Sequence, residues 1–546
     1  METDAALGRD FFPRSQITDV LEKRLAAFKQ DYRQNVGLIG RKFLGKSSIL
    51  KNFLLTSDLS GIIPVYIEVG IDPFDHFVYK WLGALLYGIL RSRTDAKIDE
   101  VPRSRKDVIR RAKAAAGESV RRMWHVRMLL RKGDHVSAFE EMLALTACVS
   151  EELKKKVILV VDEFHRLEQF GLKNIFQSFG KEIMLQKDTL FIVASSAPET
   201  ARHIFSEQLS VLFGNFEIIE AKPLNFSECH DFIQHRLGRS DLKRGLERFL
   251  LRITDGNPYY LDVFIQRIRH LGKEQWLWRL NENIFSEAIT EELFFRSGLL
   301  HLRFMGLLEL INKGRMSPYA VHVLSALALG HKKLRDIARF TRRKLPEVKK
   351  SLARLVEEGL VSQDCTVFTI SDSLFSFWLR EVYMLRELHF DLDNGNLADL
   401  FRSRLHHIVR TSELTDSKEL PERIVGLFEQ FNNDLVLLGG RRFKCPLFKD
   451  LRSRASNGRV FPVYAETGQG TWLTQVIHEK LREEDVQQFV KDEQGLPKRA
   501  RQRIMIALKG SELNAKLMAK ERGLTIWSLR DLNHLFHLYD QPKVII

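Results

Sequence analysis

Residues 40–47, Gly40-Arg41-Lys42-Phe43-Leu44-Gly45-Lys46-Ser47, fit the pattern GxxxxGK[ST] at every fixed position. The chemistry of such a stretch is phosphate binding. Glycines let the backbone curl, so that successive N–H groups and a following helix N-terminus can surround an anion. Lys46 is then placed for the β- and γ-phosphates of a nucleoside triphosphate, and the Ser47 hydroxyl for Mg²⁺. With Ser48, which begins the expected helix, these residues form a candidate ATP–Mg²⁺ site. A second stretch, Val157-Ile158-Leu159-Val160-Val161-Asp162-Glu163, ends a continuous apolar run in two carboxylates. Asp162 is positioned to hold magnesium through water, and Glu163 to orient and deprotonate an attacking water. Two acids at the end of a buried strand are costly unless a cation answers them. An acid at the Glu163 position points to hydrolysis rather than to nucleotide binding alone.

Such groups need a scaffold, and the flanking residues supply one. Residues 36–39 are a short apolar strand running straight into the glycine-flanked loop, and a helix follows from Ser48. Further strands are expected at 62–68, 156–162, 189–194 and 216–219, with a lead-in helix over 15–28. Strands alternating with helices predict a parallel α/β sheet, and the unbroken apolar run before Asp162 is that of a strand buried on both faces. The segment 91–150, between the second and third strands, reads as a basic helical insertion or lid.

Composition bounds the rest. At 546 residues, with 44% hydrophobic and 28% charged content, the chain is that of a folded, several-domain protein. No apolar run reaches the roughly 20 residues of a membrane span, and the first residues lack a secretory signal pattern. Four scattered cysteines argue against a disulfide framework or a zinc site, which fits a cytoplasmic location. The net charge of +15 is concentrated. Residues 101–134 carry eleven Lys/Arg against three Asp/Glu, and residues 331–356 carry ten against two. Each surplus is eight, so the remainder of the chain is close to neutral. Two solvated helical faces would account for either stretch alone; the concentration of the whole excess in two places favours a polyanion.

From 318 to 370 the pattern is three short helices followed by alternating β-type residues, that of a winged helix-turn-helix. Val348, Leu352, Leu355 and Val356 are expected to hold the third helix on its core. Arg342, Arg343, Lys344, Lys349, Lys350 and Arg354 then lie at its start and along its outer side, placed for phosphates and a major groove. Double-stranded DNA is the expected partner; a protein partner or a second copy of the chain is the alternative, since many such domains serve as protein contacts.

Taken together, these motifs resemble the archaeal-type ATPase family, a branch of the AAA+/STAND P-loop proteins. The likeness includes Phe12-Pro13-Arg14, where the family carries a box beside the adenine pocket, and Ser195-Ser196, matching its polar sensor toward the γ-phosphate. It also includes Asp255-Gly256-Asn257-Pro258-Tyr259-Tyr260-Leu261, similar to its GNPYYL lid motif, although the tyrosines could equally be core aromatics. The resemblance implies roles for Arg14, Ser195, Ser196 and Pro258 around the nucleotide. It implies five regions: a P-loop ATPase domain (1–221), a helical lid (222–312), a winged helix (313–380), a helical connector (381–417) and an α/β domain with the restriction-endonuclease fold (418–546). Two departures stand out. The arginine expected after the sensor strand is replaced by Asn215, with either Arg202 or no residue in its stead, which implies slow or partner-dependent turnover. The endonuclease motif Glu-x-Lys is replaced by Gln475-Val476-Ile477, and Pro462 or Val463 stands where an Asp belongs. Nuclease activity is therefore not expected unless Glu466, Glu479 and Lys480 are recruited instead.

Overall fold

The computed structural model describes residues 11–92, 105–209, 216–238, 240–274, 279–313, 319–389, 391–453, 460–467, 470–494 and 500–544. The chain divides into two compact units, Met1–Pro223 and Leu224–Ile546.

The first unit is built on five parallel strands: β1 (Asn35–Ile39), β2 (Ile62–Glu68), β3 (Lys156–Asp162), β4 (Thr189–Ser195) and β5 (Phe216–Glu220), in the order β2-β3-β4-β1-β5. Pleat parity divides the side chains between two cores. Val36 and Leu38, Ile158 and Val160, and Ile192 and Ala194 face helices α1 (Ser15–Lys29) and α2 (Lys46–Thr56). Val157, Leu159 and Val161, with Phe191 and Val193, face the other way. There they meet α3 (Phe74–Arg91), α4 (Arg105–Ala115), α5 (Gly117–Arg131), α6 (His135–Leu153) and α7 (Ile175–Leu185). The basic segment between β2 and β3 is thus three helices whose apolar stripe, including Ala112, Val120, Val126, Phe139 and Met142, belongs to the core under the sheet. Its residues 93–104 lie outside the described residues, as do Asn215 and Pro318.

The second unit begins with helices. Helix Arg244–Thr254 closes on Asp255 (φ 51°) and Gly256 (φ 69°), and helix Pro258–Glu274 opens on a proline in its first turn, where a missing N–H costs nothing. A Cβ on Gly256 would stand 2.2 Å from the carbonyl oxygen of Leu224, so glycine is required for backbone approach as well as for its φ. Tyr260 is fully buried and donates its hydroxyl to Asp372, a core role for that tyrosine. Helices Ala320–Ala328, Leu334–Thr341 and Leu345–Glu357 precede the antiparallel hairpin Val361–Asp364/Val367–Ile370. After the 24-residue helix Asn394–Ser417 comes a five-stranded sheet. Phe448–Ser453, Val460–Thr467 and Gly470–Ile477 run antiparallel, and Gln502–Ala507 and Thr525–Ser528 continue parallel to the third. Strand Asp434–Leu438 stands outside this sheet and pairs with Arg441–Cys445 in a separate hairpin.

Candidate nucleotide site and basic helical surface

The loop between β1 and α2 is shaped by two glycines for different reasons. Gly40 donates its N–H to the Ser195 carbonyl at 3.1 Å, and a Cβ there would lie 2.6 Å from the Ala221 carbonyl oxygen. Gly45, at φ 82°, turns the chain into α2 in the left-handed region. Arg41 and Lys42 are exposed on the loop, Phe43 is half-buried and Leu44 anchors it in the α1/α2 core. Lys46 is buried and donates to the carbonyls of Gly40 (2.8 Å) and Arg41 (2.9 Å), across the loop it follows. Burial lowers the pKa of its ammonium; Glu163 and Asp162 oppose that, and Lys42 adds to it.

Asp162 has the parity of Ile158 and Val160, the α2 side of the sheet. Its Oδ2 accepts from Ser47 Oγ at 2.6 Å and from the Tyr66 hydroxyl at 2.7 Å, and its Oδ1 from the Glu163 N–H at 2.9 Å. Tyr66 reaches it because β2 is β3's neighbour in register, Tyr66 opposite Val160 and Glu68 opposite Asp162. Burial first, and then Asp162, raise the tyrosine pKa, so the phenol stays a donor.

Glu163 follows the strand in left-handed conformation (φ 55°), a backbone state costing a non-glycine residue about 1–2 kcal/mol. Its carboxylate is held there: Oε2 accepts from Ser196 Oγ at 2.6 Å and from the Ser196 N–H at 3.2 Å, with His165 Nδ1 at 3.5 Å. His165 in turn is 2.9 Å from Ser195 Oγ, which also accepts from the Ala197 N–H. Burial lowers the His165 pKa; Glu163 opposes this, and Arg166, Lys42 and Lys46 reinforce it. The two adjacent serines therefore divide their work: Ser196 touches the glutamate directly, whereas Ser195 engages the histidine. The sequence reading missed Tyr66 and His165. Tyr66 is, with Glu68, one of two polar residues of strand β2 at the parity facing α2, and His165 stands three residues after Asp162; neither signal is strong without the strand order.

Ser47 and Asp162 present hard oxygen atoms of the kind magnesium takes, and a buried lysine beside a glycine-shaped helix entry suits a phosphate chain, so the residues present fit a nucleotide with its metal. Arg14, at the start of α1, donates to the Lys222 carbonyl at 2.8 Å. Arg202 is engaged with Glu199 (2.6 Å) and Glu220 (3.3 Å) on the surface. Pro258 lies in the second unit.

Of the six basic residues expected to meet DNA, Arg342, Arg343, Lys344, Lys349 and Lys350 are exposed and Arg354 is half-buried. Val348, Leu352 and Leu355 are buried beneath them, whereas Val356 is only partly covered. Arg343 stacks on Tyr319, 3.8 Å from its ring centre. In the first unit, Lys106, Arg110, Arg111, Lys113 and Arg131 are exposed positions of α4 and α5, and Arg127 stacks over Trp124 at 4.4 Å. In the C-terminal sheet the Gln475 amide donates to Asp492 at 3.0 Å, and Glu479 pairs with Lys509 at 3.3 Å; the Glu466 and Pro462 side chains lie outside the described residues.

No family model and no curated protein matches the chain. Among solved structures, it is similar to a Walker-type ATPase of Pyrococcus abyssi at 16% identity and a TM-score of 0.44, covering 69% of this chain and 99% of that one. It is similar to the ORC2 protein of Aeropyrum pernix in its ADPNP–ADP complexes at 11% identity and 0.43, covering 73% and 96%. The ORC1 protein of the same organism, in complex with DNA, matches at 12% and 0.39, covering 69% and 95%.

Proposed function

We propose that this protein is an ATP-binding and ATP-hydrolysing switch of the P-loop AAA+/STAND kind, acting on double-stranded DNA. The observation that carries the proposal is the convergence of Lys46, Ser47, Asp162 and Glu163 at the carboxyl ends of β1 and β3, with Ser47 and Asp162 joined at 2.6 Å and Glu163 held by Ser196. The loop 40–48 would cradle the phosphates and Lys46 would neutralise them, exchanging its carbonyl partners for phosphate oxygens. Ser47 and Asp162 would hold Mg²⁺, which when bound offsets charge on the phosphates. Glu163 would orient the attacking water and accept its proton, its carboxylate kept in place by Ser196 and His165. Arg14 and Pro258 are assigned to the nucleotide's surroundings by the family resemblance alone. A winged helix at 313–380 would carry DNA through Arg342, Arg343, Lys344, Lys349, Lys350 and Arg354. The C-terminal α/β domain would be an endonuclease-like fold without cleavage activity, since Gln475 occupies the place of a metal-binding acid.

A second reading, an ATP-dependent regulatory scaffold that recognises proteins, is favoured by one observation: Arg202 is tied to Glu199 and Glu220 rather than directed to the nucleotide site. Steady-state ATP hydrolysis with and without double-stranded DNA separates the two. Stimulation by DNA supports the switch; hydrolysis indifferent to DNA, with no DNA binding, moves the reading to the scaffold.

A further inference from the structure

A cavity of about 480 Å³ lies within the second unit, well inside the size range of small-ligand sites. Four chain segments build it: helix 244–254, the region from the helix end at Leu327 to Arg380, helix 394–417, and the stretch 537–543. Its lining includes the apolar Phe249, Ile253, Leu327, Ile370, Phe377 and Ile408. It also includes Arg252, Lys332, Arg380 and Lys543 with the hydroxyls of Ser373 and Ser376, and Asp540 is its one lining carboxylate. Ion pairs hold the cations in place: Lys332 with Asp540 (2.8 Å), Arg380 with Glu381 (2.7 Å), Arg252 with Asp416 and Lys543 with Asp255. Arg423 stands behind them, bonded to the Pro542 carbonyl. In the lining itself four cations face one carboxylate; Arg252 and Lys332 are largely buried, whereas Arg380, Lys543 and Asp540 are partly exposed.

Burial, with a neighbouring cation second, shifts two side chains of this region. Burial, and then Arg252, lower the Arg423 pKa to about 10. Burial, and then Lys543, lower the His537 pKa to about 4, so its imidazole lining the cavity is neutral and keeps an N–H to donate. An anion entering the cavity offsets the excess of cations over carboxylates in its lining, while the apolar lining residues accept a ring.

We propose that this cavity binds a small organic phosphate, its phosphate toward Arg252, Lys332, Arg380 and Lys543 and its ring toward Phe249 and Phe377. The site is separate from the loop at 40–47 and does not depend on the function proposed above. AMP is the probe, with adenosine and inorganic phosphate as its two halves, titrated calorimetrically into the full chain carrying Lys46→Ala. AMP is expected to bind, and adenosine to bind at least roughly tenfold more weakly, a difference of about 1.4 kcal/mol. Arg380→Gln, and independently Ser376→Leu, which fills the cavity without touching a charge, should each weaken AMP by roughly tenfold or more. Either variant that melts as the parent does is sufficient for the comparison. Absence of AMP binding, or binding indifferent to both variants, overturns the proposal. Retention of ATP by Lys46→Ala would count against the nucleotide site alone, because Arg380 and Ser376 report only on the cavity.

Discussion

Lys46 and Glu163 make opposite demands on a substitution. Lys46→Ala removes the one buried ammonium facing the loop carbonyls and should abolish tight ATP–Mg²⁺ binding, measured by titration with a fluorescent nucleotide. Glu163→Gln keeps the shape and the Ser196 hydrogen bond but not the basicity, so binding should persist while hydrolysis falls by roughly 10²–10⁴-fold. Hydrolysis by Glu163→Gln at the parental rate would remove the base assignment. The holding groups are expected to behave differently again. Ser196→Ala leaves Glu163 free to leave its strained left-handed position; kcat should drop roughly tenfold or more with ATP affinity little changed. His165→Ala should do the same, and with it the two serines become distinguishable. If Ser195→Ala costs as much as Ser196→Ala, the histidine route is as important as the direct contact; if only Ser196→Ala matters, His165 is packing.

At the scale of elements, the turns that end and begin helices are under tighter constraint than the helices themselves. Gly256→Ala combines a positive φ with a Cβ driven 2.2 Å from the Leu224 carbonyl oxygen. It should destabilise the second unit by roughly 2–4 kcal/mol in urea unfolding. Gly61 has a similar φ of 76° and open space around the added carbon, so Gly61→Ala should cost only about 1 kcal/mol. Equal costs at the two sites would mean that φ alone decides and that the backbone approach is relieved elsewhere. The helices of 105–153 illustrate the complementary point. Their exposed lysines and arginines dominate the sequence, yet Val120, Val126, Phe139 and Met142 place them in the core beneath the parallel sheet.

The whole molecule carries its net charge of +15 in two exposed basic regions, one in each unit. No helix among the described residues is long and apolar enough to cross a membrane. For a protein that holds duplex DNA through such regions, each phosphate contact adds roughly −0.9 to the slope of log affinity against log salt. Replacing Arg342, Arg343, Lys349 and Lys350 together should flatten that slope by about 3 to 4 units and leave ATP affinity nearly untouched. Substituting Lys106, Arg110, Arg111 and Lys113 measures the share of the first unit. Parental slopes in both variants, or no binding by the parent, would turn both basic regions over to protein partners.

Much of the candidate nucleotide site was legible in residue order. GxxxxGK[ST] between a short apolar strand and a helix fixes the loop chemistry locally, since glycine torsions and the helix entry involve neighbours in sequence. The apolar run ending at Asp162 likewise announces a strand buried on both faces, and pleat parity then turns Asp162 toward α2. The basic helix 345–357 was readable from its period, with Val348, Leu352 and Leu355 on one side and Lys349 and Lys350 on the other. What only the tertiary structure decided was which distant groups meet. Strand order β2-β3-β4-β1-β5 follows from how crossover helices pack, a non-local matter, and it sets Tyr66 beside Asp162 and the end of β4 beside the loop at Gly40. The division between Ser195 and Ser196 depends on the same placement, because adjacent residues point to opposite sides and only the neighbouring strand shows which side holds Glu163. The cavity in the second unit, assembled from segments nearly 300 residues apart in sequence, leaves no local pattern at all: its cations are spaced by the fold and not by any helical or strand period.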